Sequence, residues 1–138
     1  MSDDASRFTF VHIDELGQGP GFRKVRQALG VTAFGVNAIV LPPGQEGFLH
    51  YHDVQDELYF VHRGRVTFEV NGETCELGPG GVCHVKSTTP RRMSNYGDED
   101  AVVLAVGGKD GYVERDGHLV DPERDLERRA AFSRGEKS

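Results

Sequence analysis

Residues 44–64 have the sequence GQEGFLHYHDVQDELYFVHRG, and this stretch decides the fold. In it, Gly44, His50, His52, Glu57 and Gly64 are separated by five, one, four and six residues. Side chains alternate between the two faces of a strand, so His50 and His52 point to the same face. The next four residues, Asp-Val-Gln-Asp, suit a turn. A neighbouring antiparallel strand that begins at Glu57 then places this carboxylate opposite the two histidines.

Two imidazoles and one carboxylate on the same inner face form a metal site of the 2-His-1-carboxylate type. This ligand set suits Fe(II), Mn(II), Ni(II), Zn(II) or Cu(II), and ligand type alone does not choose among them. The alternative is a chance coincidence of two surface histidines and a glutamate, which the two glycines at fixed offsets and the surrounding hairpin pattern disfavour. We therefore predict one divalent transition metal bound by His50, His52 and Glu57.

The residues that follow contain a clear hairpin. Val66–Val70 alternates apolar and polar residues, which is typical of a half-buried strand. Asn71-Gly72 comes next and favours a type I′ turn, because both residues tolerate a positive φ. Glu73–Leu77 is the return strand. Other strands are expected at Phe8–Ile13, Ala33–Leu41, Glu57–Val61, Val82–Val85 and Ala101–Val106. About ten short strands with turns roughly every 8–12 residues predict an all-β sandwich or barrel.

Composition narrows the class of protein. The chain has 138 residues, of which 37% are hydrophobic and 28% charged, as expected of a single globular domain. A net charge of −6 argues against a nucleic-acid partner. No stretch reaches the ~18 apolar residues of a membrane span, and the polar, acidic start lacks the features of a signal peptide. We expect a cytoplasmic protein with no nucleic-acid or membrane partner.

Cys75 and Cys83 are predicted to be packed thiols, since two cysteines are not a disulfide framework.

The end of the chain differs from the β-rich part. Pro122 suits the first position of a helix, with Asp121 before it as N-cap. The helix is predicted to be weak and charged, packed on the outside of the barrel or on a partner chain. Its expected apolar anchors are Leu126, Ala130 and Phe132. The predicted organisation is a flexible N-terminus, a β-barrel and a charged C-terminal helix or tail, at residues 1–6, 7–120 and 121–138.

Residues 44–64 resemble the first sequence motif of the cupin family and match it at every defined position. The second cupin motif contains Pro-x-Gly, then a His and then an Asn, and residues 72–95 resemble it. The matching positions there are Gly72, Leu77, Pro79, Gly80, Val82, Val85, Pro90 and Asn95, whereas Gly81 stands where the family usually has Asp. The resemblance extends over roughly residues 34–106 and implies a single cupin jelly-roll barrel, often a homodimer. It also implies a metal held by two His and one Glu from the first motif and one His from the second.

The resemblance breaks at the fourth metal ligand. Aligned on Pro79-Gly80 and on Asn95, the second-motif His falls on Arg91, whose guanidinium has no lone pair to offer. Three placements of Arg91 are open. It grips an anionic substrate over the metal, it pairs with Glu57 and displaces the metal, or it points outward. His84 fits a literal Pro-x-Gly-x-x-His pattern, but its mid-strand position and its spacing to Asn95 favour the barrel wall.

Two functions follow from the resemblance. The first is a metal-dependent enzyme of the oxygenase, isomerase or decarboxylase type, acting on a small polar or anionic metabolite. Arg91 and Tyr59 are its candidate catalytic residues, since Arg91 would orient the substrate and Tyr59 shares the facing of Glu57. The second is a non-catalytic barrel that binds a small molecule and whose metal site is incomplete or lost. Weaker candidates for the pocket lining are Phe34, Asn37, Phe48 and Met93.

Overall fold

A computed structural model of the chain describes residues 7–136. In this range there are ten strands: β1 Gly21–Arg23, β2 Gly35–Leu41, β3 His50–His52, β4 Asp56–Arg63, β5 Val66–Val70, β6 Glu73–Leu77, β7 Val82–Val85, β8 Arg91–Ser94, β9 Ala101–Gly108 and β10 Gly117–Leu119. They form two antiparallel five-stranded sheets, in the orders β1-β2-β9-β4-β7 and β10-β3-β8-β5-β6. The all-β barrel expected from the sequence is confirmed.

The hydrophobic core lies between the two sheets. Its most buried members are Val61 and Val103 of the first sheet and Val66 and Phe68 of the second. Along each strand, the core residues alternate with residues that point to the outer face, so the inner face of each sheet supplies the core. Burial of each such side chain contributes about 1.5–3 kcal/mol. Farther along β4 the interior positions become polar, with Tyr59 and then Glu57, and there the barrel opens into a cavity.

The β5–β6 hairpin forms as the sequence predicts. Val66–Val70 pairs with Glu73–Leu77, and the turn residues Asn71 and Gly72 have φ of 50° and 83°. Both values are positive, as a type I′ turn requires. Gly64, the last defined position of the first motif, has a φ of 72°, and a Cβ there would lie 2.6 Å from the carbonyl oxygen of Asp100. Backbone sterics therefore require glycine at this turn.

The C-terminal helix packs against β1 and β10, each of which is an edge strand of its sheet. The helix, α2, spans Pro122–Ser133, and the Asp121 side chain caps it by accepting a hydrogen bond from the backbone N–H of Arg124. Phe132 is 1% exposed and joins the main core, with its ring 5.4 Å from that of Phe22. The prediction that Leu126 anchors the helix is wrong, because this side chain is 56% exposed.

The predicted N-terminal strand Phe8–Ile13 is also wrong. This segment is irregular and leads into a 3₁₀ helix at Ile13–Leu16. His12 caps that helix: its ring accepts from the N–H of Asp14, and its own N–H donates to Glu15. This local capping box competes with an extended conformation, and none of the ten strands within residues 7–136 pairs with Phe8–Ile13. The predicted flexible residues 1–6 lie outside the described residues.

The outer face of the first sheet is partly covered. The 3₁₀ helix and a short helix α1, Val25–Leu29, pack on it around Ala38 and Val102. Leu58, Phe60 and Val82 remain substantially exposed on the rest of this face. Cys75 is exposed, so the prediction of two packed thiols is wrong for it, whereas Cys83 packs against the core. Across residues 7–136, the helices are all too short or too polar to cross a membrane.

Candidate metal centre

His50, His52 and Glu57 converge inside the barrel. One potential ligand atom from each lies within 4.8 Å of the others. The route by which they meet differs from the prediction. β3, with the histidines, pairs with β8 and β10, whereas β4, with Glu57, pairs with β7 and β9. The chain crosses from one sheet to the other between His52 and Asp56, so Glu57 faces the histidines across the interior.

Hydrogen bonds fix both imidazole rings. Nδ1 of His50 donates to the carbonyl oxygen of Phe48 at 2.9 Å, and Nδ1 of His52 donates to Oδ1 of Asp116 at 2.8 Å. Nε2 is therefore the nitrogen of each ring that is directed toward a metal. Donation of the other ring nitrogen to a carboxylate or carbonyl is the usual arrangement around metal-binding histidines.

Asp116 was missed by the sequence analysis. Besides holding His52, it accepts from the backbone N–H groups of Val54 and Gln55, at 2.7 and 3.0 Å, and from the Gln55 side chain at 2.7 Å. These bonds hold its pKa far below the usual range, although burial acts in the opposite direction. The carboxylate thus fixes both a ligand ring and the segment that joins the two sheets. It lies 64 residues from His52, and no local pattern marks it.

The geometry of the cluster fits a metal ion. Nε2 of His52 is buried 2.9 Å from Oε1 of Glu57, yet it makes no well-formed hydrogen bond within residues 7–136. Two ligand atoms at about 2.0–2.2 Å from one ion lie about 3 Å apart when the bonds are near 90°. The spacing of these two atoms therefore suits two donors to the same ion.

The protonation states also suit metal binding. Burial lowers the pKa of His50, so its ring is neutral and ready to ligate. Burial acts the same way on His52, but its contacts with the carboxylates of Glu57 and Asp116 outweigh burial and raise the pKa. Burial raises the pKa of Glu57, but the close contact with His52 and the charge of that ring outweigh burial and lower the pKa. A bound ion would take the place of the His52 proton.

Arg91 is fully buried beside the cluster. It lies directly opposite His50 on β8, and its Nη1 donates to Oε1 of Glu57 at 3.0 Å. Nη2 donates to the carbonyl oxygens of Lys86 and Ser87, at 2.7 and 3.2 Å. The outward placement is therefore wrong, and the contact with Glu57 is the one observed. Nε of Arg91 is buried with no hydrogen-bond partner among the described residues.

Tyr59 lies inside the barrel, as its spacing from Glu57 predicts. It is 1% exposed, and its hydroxyl donates to Oε1 of Glu57. Burial, reinforced by the charge of Glu57, raises its pKa well above the usual value, so it stays a hydrogen-bond donor. The contacts of His52, Arg91 and Tyr59 all use the same oxygen, Oε1 of Glu57. His84 is exposed on β7 and takes no part in the cluster.

The cluster lies in a cavity of about 500 Å³. This volume is in the range of small-molecule sites, roughly 300–1,000 Å³. Three of the predicted lining residues, Asn37, Phe48 and Met93, are part of its wall. Phe34 is largely exposed and does not line it.

A jelly-roll barrel of two antiparallel sheets, with two histidines and a glutamate directed into its interior, defines the cupin class. The sequence profile of the cupin domain matches residues 38–107, and the chain belongs to this family.

Relatives of this chain carry several descriptions. It is 35% identical over 66 residues to the oxalate-binding protein of Thermotoga maritima. The aligned residues cover 48% of this chain and 54% of the relative. It is 29% identical over 73 residues to the polyketide synthase CurC of Streptomyces cyaneus, covering 53% of this chain and 47% of the relative. The chain spans about half the length of the curated relatives it matches.

Solved structures share the fold. A sugar phosphate isomerase of the cupin superfamily from Silicibacter pomeroyi has a TM-score of 0.65 at 20% identity, over 84% of this chain and 94% of the other. A "predicted oxalate decarboxylase" of Thermotoga maritima has a TM-score of 0.61 at 24% identity, over 72% of this chain and 97% of the other. At these identities the likeness shows the fold.

Proposed function

We propose that this protein is a metal-binding cupin that binds a small anionic metabolite at the metal and acts on it as an enzyme. The observation that carries the proposal is the convergence of His50, His52 and Glu57 within 4.8 Å in the wall of a cavity. Fe, Mn, Ni, Zn and Cu all suit this ligand set. His50 and His52 would ligate through Nε2, because Nδ1 of each is already bonded.

Three protein ligands leave coordination positions open to a substrate. A bound divalent metal supplies a Lewis acid that polarises a chelating carboxylate or carbonyl, which oxygenase, isomerase and decarboxylase chemistry can each use. Arg91 holds the Glu57 carboxylate from one side, and Tyr59 donates to the same oxygen. The similarity to the oxalate-binding protein of Thermotoga maritima supports a carboxylate-bearing ligand.

A second candidate function is non-catalytic binding of a small molecule without a metal. The observation that favours it is the ion pair between Arg91 and Glu57, which neutralises the one carboxylate of the ligand set. In this case the cavity binds its ligand through the polar groups of its own wall, and metal affinity is low.

Metal loading separates the two functions. We would strip the purified protein of metal, reload it with Fe, Mn, Ni, Zn or Cu, dialyse it and measure the metal content by elemental analysis. The proposal expects close to one ion per chain, lost in His52→Ala and retained in His84→Ala, which removes an exposed histidine outside the cluster. If the wild-type protein retains none of the five metals, the ligand assignment fails. Incubation of the loaded protein with oxalate, followed by mass spectrometry, tests turnover on one carboxylate substrate.

The protein is also proposed to form a homodimer. Phe8 and Phe10 are 68% and 89% exposed in the segment before the 3₁₀ helix. Leu58, Phe60 and Val82 form an uncovered apolar patch on the outer face of the first sheet. A second copy of the chain would cover both sets of apolar side chains. The cytoplasmic location and the lack of nucleic-acid partners stay predictions from the sequence.

A further inference from the structure

Four cations line the same cavity as the metal cluster. Lys24 lies just after β1, Arg26 in α1, Arg115 just before β10 and Arg129 in α2. We call these four residues the cation rim. Lys24 and Arg26 belong to one segment, so three separate segments of the chain supply the four cations, and the fold gathers them around one space.

The cation rim has no carboxylate partner within residues 7–136. The side chains of Lys24, Arg115 and Arg129 make neither an ion pair nor a hydrogen bond there. The Arg26 guanidinium lies 4.0 Å from the centre of the Tyr112 ring and donates to a backbone carbonyl.

Arginines elsewhere in the protein are mostly paired. The ion pairs Arg63–Asp14, Arg65–Glu76 and Arg92–Glu69 are examples. The chain has 22 acidic residues against 16 Lys and Arg, so carboxylates are not scarce. The unpaired arginines of the cation rim are therefore a local feature of the cavity.

The acidic groups of this cavity are already engaged. Glu57 accepts from Arg91 and Tyr59, and Asp116 accepts from His52 and Gln55. The cation rim therefore stays uncompensated. The four cations outnumber the two carboxylates of the lining, and a cleft with an excess of one sign of charge attracts ligands of the other sign.

We propose that the cavity binds a metabolite with two different ends, metal-coordinating oxygens at one end and a phosphate group at the other, held by the cation rim. The metal-coordinating end rests on the proposed function. A phosphate monoester carries about −1.5 to −2 charges at pH 7 and three acceptor oxygens, whereas a carboxylate carries one charge. Several guanidinium groups suit the phosphate better, because each offers a fork of donors to its oxygens.

The phosphate end is tested without metal. Inorganic phosphate is titrated calorimetrically into the metal-free protein at constant ionic strength. We expect saturable binding that the double variant Arg115→Gln/Arg129→Gln weakens by about tenfold or more, since each charge-assisted hydrogen bond is strong. The control Arg63→Gln/Arg65→Gln removes two arginines outside the cavity and should bind phosphate as the wild type does. Circular dichroism and thermal melts verify that each variant is folded.

Three results of the phosphate titrations would overturn the inference. They are no phosphate binding by the wild type, equal binding by the rim variant, and equal loss in the control variant. Malonate, titrated in the same way, separates phosphate from carboxylate, and binding as tight as that of phosphate would exclude the phosphate assignment. Metal content is measured separately on the same proteins. A wild type that fails to load metal overturns the proposed function and leaves the phosphate result standing.

Discussion

Arg91 of β8 and Glu57 of β4 belong to different sheets and form an ion pair across the barrel interior, with Nη1 3.0 Å from Oε1. Arg91 occupies the place where the cupin resemblance expects a fourth metal-binding histidine. A buried guanidinium requires an anionic partner, and Glu57 provides it. The same carboxylate is a proposed metal ligand. The ion pair and metal binding therefore compete for Glu57.

Removal of Arg91 should strengthen metal binding. We expect Arg91→Ala to raise metal affinity by about tenfold or more, because it frees Glu57 and removes a positive charge next to the ion. Arg91→His should raise the metal affinity further by adding a ligand.

The metal-free Arg91→Ala protein should lose about 3–5 kcal/mol of stability, since Glu57 is left buried without its partner. Arg92→Ala, which breaks the neighbouring ion pair with Glu69, is the matched control. Competition titration with a chromogenic chelator measures the affinity, and unchanged affinity in both Arg91 variants would show that the ion pair does not oppose the metal.

Asp116 should matter to the metal although it is not a ligand. Asp116→Ala removes the acceptor that orients the His52 ring, and such losses weaken metal affinity by about 10–100-fold. Asp116→Asn should recover part of this, because the amide oxygen can still accept from Nδ1. The control is Asp53→Ala, which breaks the exposed pair of Asp53 with His118. Equal affinities of Asp116→Ala and the wild type would refute the positioning role.

The β5–β6 turn offers a test of backbone conformation alone. Gly72 has a φ of 83°, and a Cβ there would meet no atom within 4 Å. Gly72→Val should therefore cost about 1–2 kcal/mol through conformational strain, without a steric clash. Thr74→Val introduces the same residue at an exposed strand position and should cost nothing measurable. Urea denaturation of both variants gives the comparison, and an equal midpoint for Gly72→Val and the wild type would mean that the turn does not require glycine.

The attachment of the C-terminal helix should depend on a single ring. Phe132→Ala is expected to destabilise the protein by about 3–5 kcal/mol, because it leaves a cavity between Phe22 and Phe48. Leu126→Ala on the same helix should change stability by less than about 0.5 kcal/mol, because Leu126 is exposed. Chemical denaturation measures both. Similar losses in the two variants would contradict the anchoring by Phe132.

Self-association should depend on the N-terminal aromatic residues. The double variant Phe8→Ser/Phe10→Ser should weaken the proposed dimer, because it removes two exposed rings that lie 5.8 Å apart. Tyr96→Ser removes another exposed ring and is the control. Light scattering over a concentration series gives the molecular mass of the wild type and of each variant. A wild type that is monomeric at the highest concentration would contradict the dimer proposal.

Local patterns predicted much of the fold. The strands Val66–Val70, Glu73–Leu77 and Val82–Val85 have the expected bounds, because alternation and the Asn71-Gly72 turn are encoded over a few residues. Strand β8, Arg91–Ser94, was not predicted, since Arg-Arg-Met-Ser has no apolar alternation. It forms because β5 and β3 lie on either side of it.

The site was only partly predictable. The spacing brought His50, His52 and Glu57 together correctly, yet the assignment of neighbouring paired strands was wrong. The segment after His52 can either turn back or cross between sheets, and long-range packing decides which. Asp116 and the cation rim depend on contacts between distant parts of the chain, which a pattern of near neighbours does not contain.

The placement of the two histidines in one sheet and Glu57 in the other has a consequence for folding. A compact intermediate with both sheets formed but not yet packed together would keep its far-UV circular dichroism and still lack the metal site. A bound ion would act as a non-covalent cross-link between the halves of the barrel. At a free metal concentration 100 times Kd, this linkage adds about 2.7 kcal/mol to the stability of the packed state. Metal affinity in this protein is therefore also a measure of how tightly its two sheets are closed.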